Sequence, residues 1–409
     1  MKKPVLYSAC PMRPSRPERS TRSCRCQKSP RQSCSTPEYV LRARFFCCLY
    51  NVDCMNSATF IANLVCRIAA GFRLGCLLQC AAMASFVFAA GLTDAAQFHH
   101  TTGPLLHTFV EIKAYGDNQT GCVLDQAFVE MGRINDLLNN YDPSSEISAI
   151  NAAAGSTSVK VSPETFEALN EAKKYARLSS GAFDFTVGPL VSLWGFNREH
   201  PGLAGDDPDA RLLKQALRLV DYRALKLGAD LTGPHARLKH SGMYIDVGAF
   251  GKGFAADRAL AFLRDRGIPN ALVAAGGTIC AAGSKPDNQP WQIGIRHPRN
   301  DSTFLTVIAL HDQSVSTSGD YEKFYYTAGK RRSHIIDPRT GLPVSSVQSV
   351  TVIAPSGIAS DALSTALFVL GPGDGLRLIE KLPGCEALVV TAAGEVVFSS
   401  GWPQKTIIY

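Results

Sequence analysis

Two kinds of hydrophobic pattern alternate along the chain from His107 to its carboxyl end. Apolar residues at helical spacing predict helices at 122–141, 162–181, 206–221, 253–265 and 357–371. Short apolar or alternating stretches between turn residues predict strands at 107–116, 243–248, 270–277, 290–298, 303–312, 313–319 and 347–355, with a hairpin at 386–400. Because the strands follow one another in runs with helices between the groups, we predict an α+β fold: one compact domain at 104–409 with mixed, largely antiparallel sheets and flanking helices.

The amino-terminal part of the chain has a different composition. Residues 1–98 carry 13 Lys or Arg against 4 Asp or Glu, whereas the remainder carries 29 against 31. The net charge of +7 therefore comes from this part, which argues against a basic, nucleic-acid-binding body. Ten of the 13 cysteines also lie at or before Cys80, without the paired spacing of a zinc site. We expect residues 1–54 to be a disordered or wrongly assigned extension, with Met55 as the true start.

Residues 55–98 have the pattern of a secretory signal peptide. Arg67 and Arg73 precede an apolar run at 74–92, and small residues close the segment. The run of about 19 residues is also close to the length that spans a bilayer, so a retained membrane anchor is the alternative. In either case we expect export to the periplasmic side of a bacterial inner membrane, with the body of the protein soluble or tethered there.

The stretch MYIDVGAFGKGFAADRA at 243–259 joins a predicted strand to a predicted helix through glycines. Its Gly251 and Lys252 match the end of the common phosphate-binding loop. Gly253, however, stands where that loop needs Ser or Thr, and Asp246 stands where it needs its first glycine. Glycines, a helix start and a lysine still suit an anion. The alternative is an ordinary turn with a surface lysine and an aspartate bonded to the backbone.

Two more stretches contain candidate chemical groups. Asp361 and Thr365 lie four residues apart in a helical pattern and share one face, so a carboxylate and a hydroxyl there could give Mg²⁺ two oxygen ligands. The alternative is that Ser360 or Asp361 caps the helix and Thr365 has no special role. His334 precedes an Asp-Pro turn and is a candidate general base near neutral pH; a packed, neutral histidine is the alternative.

Two predicted loops could hold a flat ring with a polar edge. Phe183 and Asp184 follow a glycine in the stretch SSGAFDFTVGPL at 179–190, and Tyr141 ends the predicted helix at 122–141. The alternatives are aromatic side chains packed in the core and an acid that stabilises a turn. These patterns alone do not decide between the two interpretations.

Taken in order, these segments resemble the ApbE family of FAD:protein FMN transferases. The matching stretches include YDPSSEISAIN, SGAFDFTVGPL, YIDVGAFGKGFAADR, SVSTSGDYEKFY, HIIDPRTGLPV and SDALSTALFVLG, and they run from Leu106 to the carboxyl end. The resemblance implies an α+β fold and Mg²⁺-dependent transfer of the FMN moiety of FAD to a threonine hydroxyl of a target flavoprotein, with release of AMP. The implied targets are flavoprotein subunits of NADH:quinone reductase or Rnf-type complexes.

The resemblance also implies roles for particular residues of this chain. FAD is expected to contact Leu106, Tyr141, Ala182, Phe183, Asp184, Asp246, Lys252 and His334. Mg²⁺ is expected to be held by Asp361, Thr365 and the main-chain oxygen of Ala249. His334 is in addition the candidate base for the acceptor hydroxyl. Leu106 is a departure, because the family often has Met at this position.

Two other functions remain open on the same residues. An FAD pyrophosphatase would use water in place of the threonine hydroxyl and release FMN and AMP. A non-catalytic flavin-binding protein would keep FAD intact in the presence of Mg²⁺. Retention of His334 together with the pair Asp361 and Thr365 favours a catalytic protein.

Overall fold

The computed structural model describes residues 7–8, 96–197, 207–327 and 329–403. Apart from residues 7–8, the extension predicted at 1–54 lies outside the described residues. The predicted signal or anchor at 55–98 lies outside them as well, except for its last three residues. Those two assignments therefore stay predictions.

Helices and strands are both abundant in the described part of the chain, which confirms the α+β class. The helices are α1 Thr120–Leu138, α2 Glu146–Ala152, α3 Pro163–Leu178, α4 Gly188–Leu193, α5 Ala210–Leu217, α6 Gly251–Asp265 and α7 Gly357–Ile379. The strands are β1 Tyr7–Ser8, β2 Gln97–Leu105, β3 Thr108–Gly116, β4 Val159–Lys160, β5 Leu225–Asp230, β6 Gly233–Leu238, β7 Ala271–Ala275, β8 Thr278–Ala282, β9 Trp291–Arg296, β10 Phe304–Leu310, β11 Gln313–Gly319, β12 Phe324–Thr327, β13 Lys330–Ser333, β14 Val347–Ala354, β15 Glu386–Thr391 and β16 Val396–Phe398.

An eight-stranded sheet organises the domain. Its order is β16-β15-β14-β11-β8-β7-β3-β2, and every neighbouring pair in it is antiparallel, as the sequence predicts. Smaller sheets have the orders β1-β9-β10, β4-β6-β5 and β12-β13. The edge strand β2 was not predicted and overlaps the end of the expected signal segment.

The alternation of side chains along β7 shows how the layers pack. Val273 and Ala275 point into the main core, which also contains the buried faces of α1, α6 and α7. Leu272 points the other way, into a second core that it shares with Trp291 and Ile293 of β9. Because successive strand residues face opposite sides, the large sheet is covered by helices on one face and by the β9-β10 sheet on the other.

Polar side chains decide where three helices begin. Ser162 caps α3 by accepting from the N–H of Thr165 at 3.2 Å. Asp209 caps α5, which therefore starts later than the predicted 206. Ser356 caps α7, so the alternative in which Ser360 or Asp361 is the cap is wrong. Asp361 instead lies one turn inside the helix.

The predicted strand at 243–248 is wrong. The segment makes only an isolated bridge, between Val187 and Tyr244. The side chain of Asn151 accepts from the N–H of Ile245 at 2.7 Å and donates to its carbonyl at 3.0 Å. The next N–H, of Asp246, donates to the carbonyl of Phe185 at 2.8 Å. The apolar run is therefore extended, but loops and a side chain take the hydrogen bonds that a neighbouring strand would make.

The predicted end of α7 at Gly371 is a kink. Gly371 has φ 74°, Pro372 follows it, and the helix continues to Ile379. By length and composition α7 is apolar enough to cross a membrane, but most of it is buried against the large sheet, as a core helix would be. Among the described cysteines, Cys122, Cys280 and Cys385 are all free thiols.

Trp291 is fully buried in the second core, and its Nε1 donates to the carbonyl of Ala282 at 3.2 Å. We expect Trp291→Ala to lower the free energy of unfolding by about 3–5 kcal/mol, because a large cavity replaces the indole. Phe109→Ala is the matched control, since Phe109 is 51% exposed in the large sheet and should change stability little. Urea unfolding of both variants measures this, and equal losses would contradict the assigned layer packing.

Candidate functional site

One cavity is lined by every site residue that the sequence indicated. Its walls come from the β2-β3 loop, the end of α1, the segment before α4, the start of α6, strand β11, the segment after β13 and the first turns of α7. The predicted residues on it are Leu106, Tyr141, Ala182, Phe183, Asp184, Asp246, Ala249, Lys252, His334, Asp361 and Thr365. The fold thus brings together residues that are far apart in the sequence. Their individual roles stay predictions.

The start of α6 lies where the sequence predicts an anion-binding turn. Phe250 at its N-cap has no side-chain acceptor, and the N–H of Gly253 in the first turn donates to Asp361 instead. Lys252 donates from Nζ to the carbonyl of Gly248 at 2.5 Å, and the same Nζ lies 3.7 Å from Oδ2 of Asp361. Lys252 is therefore a half-buried part of the cavity wall and not a surface lysine.

Asp246 lies beside this turn, in the extended segment that precedes α6. Its Oδ1 accepts from the N–H of Gly248 at 2.8 Å, which is the backbone bond that the plainer interpretation of the motif expects. Burial raises the pKa of Asp246, and the opposing effects are the bond from Gly248 and the charges of Lys323 and Lys252. The carboxyl group of Asp246 thus lines the cavity within the electrostatic influence of the ammonium groups of Lys323 and Lys252.

Asp361 and Thr365 lie on one face of α7, as their spacing predicts. Asp361 is buried, and its Oδ2 accepts from the N–H of Gly253 at 3.1 Å. Thr365 has Oγ1 3.3 Å from Oγ of Ser318. Asp361, Thr365 and Ala249 line the same cavity, and a carboxylate, a hydroxyl and a main-chain carbonyl are the hard oxygen donors that suit Mg²⁺.

The small number of acidic side chains near Asp361 indicates which kind of metal ion the cavity could bind. Among the described residues there is no group of three or more His, Cys, Asp or Glu side chains that could enclose a metal ion. A site with one protein carboxylate leaves most positions to water or to phosphate oxygens, as Mg²⁺ sites at phosphate substrates do. The donor set therefore fits an ion that is bound together with a phosphate ligand.

His334 follows β13, where its main chain and its ring bond to the same group. Its N–H lies 3.0 Å and its Nδ1 3.2 Å from the carbonyl of Lys323. Because a carbonyl only accepts, Nδ1 carries the proton and Nε2 is left as an acceptor. Burial, with the charges of Lys323 and Lys252, lowers the pKa of His334 to about 4. The histidine is thus neutral at pH 7, as its packed alternative predicts, yet it lines the cavity.

The β2-β3 loop and Tyr141 form the exposed rim. Leu106 and His107 both have φ 55°, the conformation of a tight hairpin turn that usually needs Asn or Gly. The ring of His107 meets that of Tyr141 edge-on, with centroids 5.2 Å apart. Tyr141 is 47% exposed, and its pKa is raised to about 12 by partial burial and by the charge of Asp246. The rings of Tyr141 and His107 therefore form an exposed aromatic surface at the cavity entrance.

Phe183 and Asp184 belong to the cavity floor. Phe183 is buried and packs against Phe185 and Phe250. The carboxylate of Asp184 accepts from the N–H and the hydroxyl of Thr186 and from the N–H of Tyr222, at 2.6–2.9 Å. Burial nonetheless raises the pKa of Asp184. Its side chain is thus occupied in fixing the loop that Ala182 and Phe183 belong to.

Comparison with known proteins gives the same family as the motifs. A profile of the ApbE family matches residues 106–389, which is more than half of the chain. The chain belongs to the ApbE family. Its curated relatives include the FAD:protein FMN transferase of Treponema pallidum, 35% identical over 73% of this chain and 85% of that protein. The Vibrio cholerae protein of the same name is 33% identical over 73% of this chain and 89% of its own length.

Solved ApbE structures resemble the whole described domain. The ApbE protein of Thermotoga maritima superposes with a TM-score of 0.67 at 33% identity, over 75% of this chain and 98% of that one. The flavin transferase ApbE of Vibrio cholerae gives 0.64 at 30% identity, over the same shares. The single-domain α+β architecture predicted from the sequence is therefore the ApbE fold.

Some cavity residues of this ApbE chain were not predicted. Lys323 carries the carbonyl that orients His334, and Ser318 contacts both Thr365 and Ser364. Both lie in SVSTSGDYEKFY, a stretch that the family resemblance includes but that has no spacing signal of its own. His107 is another cavity residue that was not predicted, although it is next to the predicted Leu106. The sequence signal that could have identified it is a two-residue hairpin loop made of two bulky residues.

We expect a histidine of this protein to titrate near pH 4, and His334→Asn to remove that resonance from the NMR titration. The unfolded imidazole binds its proton at about the ordinary pKa of 6.5, so the unfolded state binds more protons than the folded state between pH 6.5 and 4. Stability should therefore fall as the pH drops through this window, and less steeply in the variant. A His334 resonance that titrates at or above pH 6.5 would contradict this.

Proposed function

We propose that this chain is an FAD:protein FMN transferase, which moves the FMN moiety of FAD to a threonine hydroxyl of a target flavoprotein and releases AMP. The Treponema pallidum and Vibrio cholerae relatives have this name. The observation that carries the proposal is that one cavity contains all of the groups this reaction needs. They are Lys252 at a helix start, the carboxylate of Asp361, the hydroxyl of Thr365, the neutral His334 and the ring of Tyr141.

The pyrophosphate of FAD would lie at the start of α6. The charge of Lys252 and the positive end of the α6 dipole would both attract phosphate oxygens. Asp361, Thr365 and the carbonyl of Ala249 would hold Mg²⁺ beside it. When bound, this ion would stabilise the charge that develops on the phosphate oxygens as AMP leaves. The flavin ring would lie toward Tyr141, Leu106 and the loop of Ala182, Phe183 and Asp184.

The reaction would be a displacement at phosphorus. The threonine oxygen bonds to the phosphorus on the FMN side, the bond from that phosphorus to the bridging oxygen breaks, and AMP takes that oxygen with it. His334 would take the hydroxyl proton on Nε2, since Nδ1 donates to Lys323. An anionic substrate would offset the charges of Lys323 and Lys252, which lower the pKa of His334, and would make it a better base.

The location and the acceptors complete the proposal. The expected signal or anchor at 55–98 would place the domain on the periplasmic side of the inner membrane, soluble or tethered. There it would meet flavoprotein subunits of NADH:quinone reductase or Rnf-type complexes that carry an acceptor threonine. Nucleic acid is not expected as a partner, because the body of the chain has almost no net charge.

The first test changes the carboxylate. Asp361→Asn keeps an oxygen for the N–H of Gly253 but loses the charge, so Mg²⁺-dependent transfer should fall roughly 100-fold or more. The thermal unfolding midpoint should change little, because the helix contact is kept. Transfer is followed as in-gel flavin fluorescence of a denatured acceptor fragment. Equal losses of stability and of activity would indicate that Asp361 serves only to hold the helix.

The second test separates transfer from hydrolysis. The purified protein is incubated with FAD and Mg²⁺, with and without an acceptor fragment, and with a Thr→Ala version of that fragment. We expect AMP to appear together with covalent flavin, and only with the intact acceptor. Release of FMN and AMP at the same rate without acceptor would identify an FAD pyrophosphatase. If FAD stays intact in all three reactions, with several authentic acceptors, the protein is a non-catalytic flavin-binding protein.

A further inference from the structure

Helices α6 and α7 start side by side, with no side chain between them. A methyl group on Gly253 would clash with the carbonyl oxygen of Gly357, and one on Gly357 would clash with the carbonyl oxygen of Gly253. The two backbones therefore touch at a pair of glycines. Any displacement of one helix start must be followed by the other, because neither residue has a flexible part that could absorb it.

Each helix also supplies an acceptor to the other. Asp257 of α6 accepts from the N–H of Gly357 at 2.6 Å and from that of Ile358 at 2.9 Å. Asp361 of α7 accepts from the N–H of Gly253 at 3.1 Å. The first-turn N–H groups of a helix have no acceptor within it, so each carboxylate satisfies donors that would otherwise be unpaired.

The sequence repeats the same spacing in both helices. Gly253 and Asp257 lie four apart in GFAAD, and Gly357 and Asp361 lie four apart in GIASD. In each helix the glycine forms the contact, and the aspartate one turn later reaches back across it. The arrangement is reciprocal, but the two carboxylates differ in one respect: Asp361 lines the main cavity and Asp257 does not.

Asp257 faces a second cavity on the far side of the crossing. Its other contact is the buried thiol of Cys280, with Sγ 3.9 Å from Oδ1. Asp257 therefore has no access to a ligand in the main cavity, and any effect on the reaction must pass through the helices. The N–H groups that it holds lie one turn before Asp361.

We propose that Asp257 is a positioning residue, which fixes the start of α7 against α6 and thereby places the carboxylate of Asp361 beside Lys252 and Ala249. This inference rests on the proposed function, because it assigns Asp257 to the ordering of the cation site at Asp361. Groups that orient a metal ligand from outside the site change metal affinity when they are replaced, without touching the ion.

Asp257→Asn tests the inference, because the two N–H groups bond to different oxygens, Oδ1 and Oδ2, and the amide replaces one of these oxygens by an NH₂ group that cannot accept. We expect Mn²⁺, used as a probe in the presence of FAD and followed by EPR, to bind about 10-fold or more weakly to the variant. The Mg²⁺ concentration for half-maximal transfer should rise by a similar factor. Asp257→Glu keeps the carboxylate and should recover part of the loss.

Amide hydrogen exchange gives a readout that does not depend on activity. The reciprocal contact predicts that Asp257→Asn raises exchange at both helix starts, at Gly253 as well as at Gly357 and Ile358. Asp209→Ala is the control for the loss of a helix cap, since Asp209 also accepts two first-turn N–H groups but caps the exposed helix α5. It should lower stability without changing Mn²⁺ affinity or exchange at α6 and α7.

The possible failures are distinguishable. Wild-type protein that binds no Mn²⁺ and transfers no FMN would overturn the proposed function and this inference with it. Wild-type protein that binds Mn²⁺, together with an Asp257→Asn variant of unchanged Mn²⁺ affinity and faster exchange only at Gly357 and Ile358, would overturn the inference alone. Asp257 would then be an ordinary helix cap.

Discussion

The contact between the starts of α6 and α7 is the constraint on which the site depends. Two glycines let the backbones touch, and two aspartates hold the N–H groups of the opposite helix. Lys252 and Ala249 stand at one of these starts, and Asp361 and Thr365 stand one and two turns beyond the other. The site residues are therefore ordered by backbone packing in the core, where displacement costs most, and not by a flexible loop.

The same contact explains why the start of α6 departs from the common phosphate-binding loop. In that loop a Ser or Thr directly after the lysine supplies the hydroxyl ligand. Here Gly253 occupies that position because the carbonyl of Gly357 leaves no room for a side chain. A hydroxyl is available from Thr365 of the neighbouring helix instead. The close approach that excludes a side chain at Gly253 is also what brings Thr365 and Asp361 to the cavity.

Local patterns predicted much of this arrangement. The spacing of Asp361 and Thr365 was enough to put them on one face of α7, because helix geometry is local. The segment at 243–248 has the composition of a strand, but its partners are Asn151 and Phe185, and no local pattern shows that a distant side chain will take its hydrogen bonds. Lys323 could not be predicted for the same reason, since it acts on His334 through a carbonyl that every residue has.

The groups around Asp361 show how its buried carboxylate is stabilised. A carboxylate that is almost fully buried needs a charge or hydrogen-bond partner, and Asp361 has the N–H of Gly253 and the ammonium group of Lys252 at 3.7 Å. Under the proposed function, Mg²⁺ held by Asp361 would supply positive charge at the same carboxylate. The buried carboxylate thus has a cationic partner in Lys252, which is why an aspartate can be kept in the core of this fold.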